Sequence, residues 1–154
     1  MKRGSRYSRL MRAGNMKRGI PPLLPEELFT PLLSAGAVRV ERIVSRGHVS
    51  PPDFWFDQDE AELVVLLEGH ARIEIEGEGE LDLSPLDWLD LPARTRHRVT
   101  YTAPHADTIW LAVLYTSPAA ETVEPEATEV EPALRALPPD RQTESGPSDD
   151  HGAA

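Results

Sequence analysis

The sequence predicts an all-β fold, an antiparallel sandwich or barrel, over residues 38–116. About eight short apolar segments follow one another there, separated by turns rich in Gly, Pro and Asp, as in small antiparallel folds. Several segments alternate apolar with polar residues, which is the period of a strand with one solvated face, and none repeats with the period of a helix. These observations together favour a sandwich or barrel.

The predicted strands follow in order from Val38. The first alternates between two faces and ends before Pro51-Pro52, because proline lacks the amide hydrogen that a sheet requires. The second, residues 62–68, is apolar on both faces and suits a strand that is covered on both sides. The third, residues 71–76, alternates and leads into the turn Gly77-Glu78-Gly79. The remaining strands are predicted at residues 80–83, 88–91, 98–101 and 108–115.

The N-terminal part of the chain carries no strand pattern. Residues 1–20 hold seven basic residues, no acidic one and no hydrophobic period, so we predict a basic disordered extension. The string Met-Lys-Arg-Gly occurs at 1–4 and again at 16–19, which leaves open whether translation begins at Met1 or at Met16.

Two further segments flank the predicted barrel. Residues 21–37 form a lead-in, for which we predict a short helical turn whose length Pro31 limits. Residues 117–154 carry nine acidic residues, two basic ones and few large apolar ones. Such a segment cannot bury enough apolar surface to offset its ordering entropy, so we predict an acidic, Pro-rich disordered tail.

Composition argues against several classes of function. The 154 residues allow one domain and include no cysteine, which excludes disulfides and thiolate metal sites. No apolar run approaches the roughly 18 residues that span a membrane, and no signal peptide is evident, so we expect a cytoplasmic protein without a membrane partner. The net charge is −10 and the predicted barrel is acidic, which argues against nucleic acid as a partner.

Two short motifs lie within the predicted strands. Glu62 is followed after six residues by Gly69, and Pro92 is followed five positions later by His97. In this order, and with the strand pattern between them, the motifs resemble the two sequence boxes of the cupin family. The resemblance covers residues 38–116 and implies a small antiparallel jelly-roll barrel with one inward-facing pocket.

The resemblance also implies which residues form that pocket. The sequence is similar to a group of short single-domain bacterial cupins in which Asp57-Gln58 stands where other cupins carry His-x-His. Glu62 and His97 occupy positions at which cupins place metal ligands, and Asp57 is the third candidate ligand. One imidazole with carboxylates would accept a divalent ion such as manganese, iron or zinc. Further candidates for ligand binding are Gln58, Trp55, Arg94 and Tyr101.

Structural roles for the same residues stay open at this point. A carboxylate on a buried strand needs a partner, so Glu62 could instead pair with an arginine at position 94, 96 or 98. His97 could simply form a hydrogen bond at the rim of the barrel, and the aromatic residues near the motifs could serve as core packing.

Three functions are consistent with these observations. The first is a small metal-dependent enzyme that acts on an oxygen-rich metabolite. The second is a non-catalytic module that binds a small polar molecule and has a degenerate metal site. The third is a structural homodimer whose pocket has no function. The sequence assigns no catalytic residue and does not decide whether the protein is an enzyme.

Overall fold

The computed structural model describes residues 11–116 and the strand at residues 135–136. The disorder predicted for residues 1–10 and for the acidic tail concerns segments that lie outside the described residues, apart from that strand. Every regular element in the described part is a β-strand, which confirms the all-β prediction. The described residues contain no helix that is long and apolar enough to cross a membrane.

Two antiparallel sheets face each other and form a jelly-roll barrel. The strands of the described residues are β1 (Leu28–Ala35), β2 (Val38–Ser45), β3 (Ala61–Glu68), β4 (Ala71–Ile75), β5 (Gly79–Leu83), β6 (Trp88–Leu91), β7 (His97–Thr102), β8 (Thr108–Tyr115) and β9 (Arg135–Ala136). The larger sheet has the order β1-β2-β8-β3-β6 and the smaller has the order β7-β4-β5-β9. The chain therefore passes repeatedly from one sheet to the other, as in a jelly roll.

The hydrophobic core lies between the two sheets. Alternate side chains of each strand point inward, so short strands from both sheets contribute to one core. The register of β3 against β8 places Glu62 opposite Leu114 and Leu66 opposite Trp110. Glu62 thus belongs to a strand whose inward face is otherwise apolar. The buried core cluster consists of Val64, Leu66, Ala71, Ile73, Leu83, Leu89, Leu91 and Trp110.

The barrel begins earlier than the sequence predicts. Leu28–Ala35 forms strand β1, so the short helical turn predicted within residues 21–37 is wrong. β1 pairs with β2, and a bulge between Pro31 and Leu33 interrupts the register. A proline is tolerated here because β1 lies at the edge of its sheet, where a missing amide hydrogen breaks no second ladder.

Part of the predicted N-terminal extension lies against strand β2. The guanidinium of Arg42 donates hydrogen bonds to the backbone carbonyl oxygens of Met16 and Arg18, at 2.9 and 2.8 Å. Residues 16–19 form a turn at this position. This portion of the segment predicted to be disordered therefore makes defined contacts with the barrel.

Candidate functional site

A cavity of about 200 Å³ lies between the two sheets. Its inner wall is apolar and comes from both sheets, with Val64, Ile73 and Trp110 among the lining residues. A concave, mainly apolar chamber with a few polar groups is the usual form of a small-molecule site. The polar and charged lining residues are Glu27, Arg39, Glu41, Gln58, Glu62 and His97.

His97, the first residue of β7, is held by its backbone, its ring face and one ring nitrogen. The amide of Phe56 donates to the carbonyl oxygen of His97 at 2.8 Å, and the amide of His97 donates back to Phe56 at 3.2 Å. The two rings stack with centroids 5.4 Å apart. Nδ1 of His97 lies 2.8 Å from the carbonyl oxygen of Thr95. Because a carbonyl only accepts, Nδ1 carries the proton, and Nε2 presents a lone pair when the ring is neutral.

Glu62 faces His97 in the cavity. Its Oε2 lies 3.7 Å from Nε2 of His97, and the two side chains are only 14% and 7% exposed. Gln58 donates a hydrogen bond of 2.9 Å from its Nε2 to the same carboxylate oxygen. Burial raises the pKa of Glu62 above its ordinary value of 4.5, and this effect outweighs the lowering by His97 and by the Gln58 hydrogen bond.

The facing atoms of Glu62 and His97 are both hydrogen-bond acceptors when the carboxylate is ionised and the ring is neutral. Two such atoms 3.7 Å apart, in a pocket shielded from water, repel each other. A proton on either side chain, or a metal cation between them, removes that repulsion. The arrangement can therefore transfer a proton or coordinate a cation.

Arg39 on β2 is committed to carboxylates beside the cavity. Its Nε lies 3.0 Å from Glu41 and its Nη2 lies 3.1 Å from Glu60. Glu41 also lines the cavity, where its charge contributes to the raised pKa of Glu62. The positive charge of Arg39 is thus already balanced by neighbouring carboxylates at this site.

Glu27 anchors the segment before β1 to the cavity wall. Its carboxylate accepts a hydrogen bond from the hydroxyl of Ser45. The Ser45 oxygen in turn accepts a hydrogen bond of 3.2 Å from the indole of Trp110. Glu27, Glu41 and Glu62 together outnumber Arg39 among the charged lining residues, so the cavity favours cations and neutral molecules over anions.

The structure brings together three of the seven predicted site residues, namely Gln58, Glu62 and His97. Asp57 does not join them. It lies between Phe56 and Gln58, which both line the cavity, and in extended backbone the residue between two such positions faces the other way. Its carboxylate pairs with Arg94 at 3.2 Å instead, and the Arg94 side chain is 62% exposed.

Trp55 and Tyr101 are likewise absent from the cavity lining. The guanidinium carbons of Arg98 and Arg96 lie 4.6 and 5.6 Å from the centroid of the Trp55 ring. The guanidinium carbon of Arg72 lies 5.2 Å from the Tyr101 ring centroid. Both aromatic rings therefore stabilise arginine side chains, an arrangement typical of cation–π contacts.

The alternative in which Glu62 pairs with an arginine is not observed. The three arginines concerned each pair with another carboxylate: Arg94 with Asp57, Arg96 with Glu76, and Arg98 with Glu74. His97 does form a hydrogen bond to backbone, at Thr95, and this bond leaves Nε2 directed at Glu62.

The charged lining residues Glu27, Arg39 and Glu41 are not among the residues predicted from the sequence. Along β2, Arg39 and Glu41 alternate with Val38 and Val40, a pattern that predicts a strand with its apolar face turned inward. The structure shows the opposite orientation at the cavity. A polar strand face looks the same in sequence whether it meets bulk water or a polar pocket, so no sequence signal distinguishes the two.

Comparison with known proteins supports the fold and finds a relative that is similar in sequence as well as in structure. No protein-family profile and no curated protein matches the chain. A Ralstonia eutropha protein described as a candidate mannose-6-phosphate isomerase is 41% identical, with a TM-score of 0.67. The match covers 70% of this chain and 100% of that protein.

Two more distant structures share the fold alone. A cupin superfamily protein from Desulfitobacterium hafniense is 19% identical, with a TM-score of 0.53, and the match covers 64% of this chain and 84% of that one. A Thermus thermophilus protein is 18% identical, with a TM-score of 0.58, and the match covers 70% of this chain and 100% of that one.

Proposed function

The chain belongs to the cupin superfamily, and we propose from this premise that its cavity binds a divalent metal ion and acts on a small, neutral, oxygen-rich metabolite. The observation that carries the proposal is the buried pair formed by His97 and Glu62. Nε2 of His97 and Oε2 of Glu62 lie 3.7 Å apart, and both atoms are acceptors when the ring is neutral and the carboxylate is ionised.

The donor set fits a divalent ion. Metal bonds to nitrogen and oxygen ligands are about 2.0–2.2 Å long, so two ligand atoms of one ion are at most about 4.4 Å apart. The 3.7 Å separation of His97 and Glu62 is within this limit. The hydrogen bond that Nδ1 of His97 donates to the carbonyl oxygen of Thr95 fixes the tautomer that a ligating histidine needs.

Gln58 is our candidate for the third protein ligand. Its side-chain amide lies against Glu62, and rotating the amide by half a turn would exchange its nitrogen for its oxygen. Residues 11–116 hold no group of three His, Asp or Glu side chains suited to a metal ion. One imidazole, one carboxylate and one amide oxygen suit manganese, iron or zinc, with manganese favoured by the oxygen donors.

The charges around the cavity limit the class of substrate. Three carboxylates and the neutralised Arg39 surround it, so the described lining offers no unpaired cation for a phosphate group. The description of the Ralstonia relative suggests a sugar, and its hydroxyl and carbonyl groups would suit this site. We therefore propose an unphosphorylated sugar or a similar polyol, not a sugar phosphate.

The residues of the chain have distinct roles in this proposal. The metal, when bound, would polarise an oxygen atom of the metabolite. Glu41, on the same cavity wall, is placed to accept a hydrogen bond from a hydroxyl group. The apolar wall formed by Val64, Ile73 and Trp110 excludes water and so strengthens the polar contacts within the cavity.

A metal-free binding module is the second candidate. The raised pKa of Glu62 supports it, because a protonated, neutral carboxyl group removes the repulsion from Nε2 of His97 without any metal. A structural dimer with a blocked pocket receives less support, since a cavity of about 200 Å³ remains between the sheets.

The test is elemental analysis of full-length protein that is purified without an affinity tag or chelator. We expect about one divalent ion per chain in the parent, and loss of most of it in Glu62→Gln and His97→Gln. Glu78→Gln and His105→Gln change exposed residues of the same types and should retain the metal. Metal-free parent protein with a tightly bound polyol would instead favour the binding module.

Catalysis is tested separately by proton exchange. Neutral aldoses and ketoses are incubated in deuterated water with the metal-loaded protein, and deuterium next to the carbonyl carbon is measured by NMR. Exchange that is faster with neutral sugars than with their phosphates supports the proposal. Faster exchange with the phosphates would contradict the proposed substrate class.

A further inference from the structure

A second cleft lies between the N-terminal segment and the outer face of the larger sheet. It has a volume of about 580 Å³. Glu41 and Ile43 of β2 line the barrel cavity, so Arg42 between them points to the opposite face, towards this cleft. None of the described residues that line the cleft is acidic. The polar and charged lining residues are Arg12, Asn15, Arg18, Thr30 and Arg42.

Arg42 is a buried cation with only neutral partners. The residue is 7% exposed. Its Nη1 donates to the carbonyl oxygens of Met16 and Arg18, and its Nη2 donates to the hydroxyl of Thr30 at 2.9 Å. Its Nε is buried and has no hydrogen-bond partner within the described residues. None of the ion pairs formed among the described residues of the chain involves Arg42.

An isolated buried guanidinium is costly. Arginine stays protonated at all ordinary pH values, so it cannot relieve the cost of burial by losing its charge. Carbonyl and hydroxyl oxygens satisfy some of its five N–H groups but leave its net charge uncompensated. A counter-anion in the cleft would compensate the charge and could also accept hydrogen bonds from the remaining N–H groups of Arg42.

Two more arginines strengthen this argument. Arg12 and Arg18 are exposed residues that line the same cleft, and residues 11–116 provide no carboxylate within salt-bridge distance of either side chain. Three guanidinium groups around one concave surface repel one another unless an anion is present. The planar guanidinium group binds phosphate and carboxylate through paired hydrogen bonds.

We propose that this cleft is a binding site for a small oxyanion, with phosphate or the phosphate group of a small metabolite as its ligand. Arg42 forms the deep end of the site, and Arg12 and Arg18 form its exposed side. The site is separate from the barrel cavity and shares no lining residue with it. It is therefore independent of the proposed metal site and has the opposite charge preference.

The acidic segment at residues 117–154 is an alternative source of carboxylates for the same arginines. We favour a small oxyanion because the most buried cation of the cleft, Arg42, is only 7% exposed, and a small ion reaches such a group more readily than a chain of Glu and Pro residues. The two occupants make different predictions, since a cleft filled by the protein itself would not bind added phosphate.

The first experiment is titration of full-length protein with inorganic phosphate by calorimetry, with chloride at matched ionic strength as the reference. We expect Arg12→Gln/Arg18→Gln to weaken phosphate binding at least about 10-fold, because two charge-assisted contacts are lost. Both positions are exposed, so the variant should fold normally.

Lys17→Gln is the matched control. Lys17 is in the same turn but does not line the cleft, and it pairs with Glu68 at 2.8 Å. This variant should change phosphate affinity by less than about 2-fold, apart from general electrostatics. Equal weakening by Lys17→Gln and by the double variant would overturn the proposal, because it would mean non-specific attraction. Absence of phosphate binding by the parent would also overturn it, and would leave the acidic segment as the occupant.

NMR of the arginine Nε–H groups tests the role of Arg42 directly. We expect phosphate to shift one slowly exchanging Nε–H signal, which disappears in Arg42→Lys. Tighter binding of glycerol 3-phosphate than of inorganic phosphate would identify a phosphorylated metabolite as the ligand, and the reverse order would identify free phosphate. A response confined to other arginine signals would contradict the assignment of Arg42 to the site.

Discussion

The rings of Phe56 and His97 stack with their planes inclined by 21°, while the backbones of the two residues exchange hydrogen bonds. Phe56 belongs to none of the nine strands of the described residues, yet this isolated bridge ties its segment to β7. The bridge places Gln58, two residues further on, beside Glu62. One contact between two residues therefore positions both the histidine and the amide of the candidate site.

Replacing Phe56 by leucine should loosen His97 without adding a polar group. We expect the free energy of unfolding to fall by about 1–2 kcal/mol, as for loss of a partly buried aromatic ring. Affinity for the divalent metal should fall roughly 10-fold, because a ligating histidine depends on its orienting contacts. Urea unfolding and metal titration measure the two effects.

Phe54→Leu is the control for that variant. The Phe54 ring packs edge-on against Phe56, with centroids 4.9 Å apart, but does not stack on His97. It should lower stability without changing metal affinity. Equal metal affinities in the parent and in Phe56→Leu would mean that the ring stack does not orient His97.

The raised pKa of Glu62 predicts a pH-dependent effect of Glu62→Gln in metal-free protein. Burial favours the neutral acid in the folded state. The stability contributed by neutral Glu62 is therefore fully present below pH 4.5, the ordinary pKa that applies to the unfolded chain. It is lost as pH rises through the raised pKa of the folded state. Glutamine keeps a neutral side chain at every pH.

Glu62→Gln should therefore gain stability relative to the parent between pH 4 and pH 7, when both are measured with a chelator present. Urea unfolding at several pH values checks the direction. Glu78→Gln, in an exposed turn, should show no comparable trend. A relative stability of Glu62→Gln that falls as pH rises would mean that the ionised carboxylate is favoured in the folded state, contrary to the effect of burial.

Much of the fold was predictable because period-two patterns are local. The seven strands from β2 to β8 lie where alternation and turn residues indicate. β1 was missed because its bulge between Pro31 and Leu33 interrupts the alternation, leaving leucines at a spacing that suggests a helical turn. A bulge depends on pairing with β2, which the local sequence does not reveal.

The candidate site was predictable only in part. Glu62 and His97, which the resemblance assigns to one pocket, line the same cavity, whereas Tyr101 does not. Alternation from His97 and Val99 would direct Tyr101 into the cavity. The register between β4 and β7 shifts at this point. Val99 pairs with Ile73 and Tyr101 pairs with Arg72, so that β7 has one extra residue between the two pairs. This bulge changes the face of Tyr101, and nothing in the local sequence marks it.

Gly69, the glycine of the first cupin box, is predicted to be required for packing as well as for backbone conformation. Its φ is +91°, and a Cβ there would lie 2.7 Å from Oγ1 and 2.8 Å from Cα of Thr108. Gly69→Ala should lower the free energy of unfolding by about 3 kcal/mol or more, since strain and overlap add.

Gly77→Ala separates those two contributions. Gly77 has a similar φ of +82°, but a Cβ there would meet no atom within 4 Å. Gly77→Ala should therefore lower the free energy of unfolding by only about 1–2 kcal/mol, through backbone strain. Thermal or urea unfolding measures both variants, and equal losses would mean that Thr108 moves aside without cost.

Gln58→Glu should have opposite effects on the metal-free and the metal-loaded protein. The Nε2 of Gln58 is 2.9 Å from Oε2 of Glu62, so the substitution places two carboxylates side by side. Without metal, their repulsion should lower the free energy of unfolding by about 1–3 kcal/mol at neutral pH. With metal, the added anionic ligand should raise the affinity roughly 10-fold, since ligand charge strengthens cation binding.

Gln58→Ala, the control variant, should weaken metal binding without introducing the repulsion between two carboxylates. Unfolding and metal titrations of both variants distinguish the two proposed functions, because a metal-free binding module would show only the destabilisation.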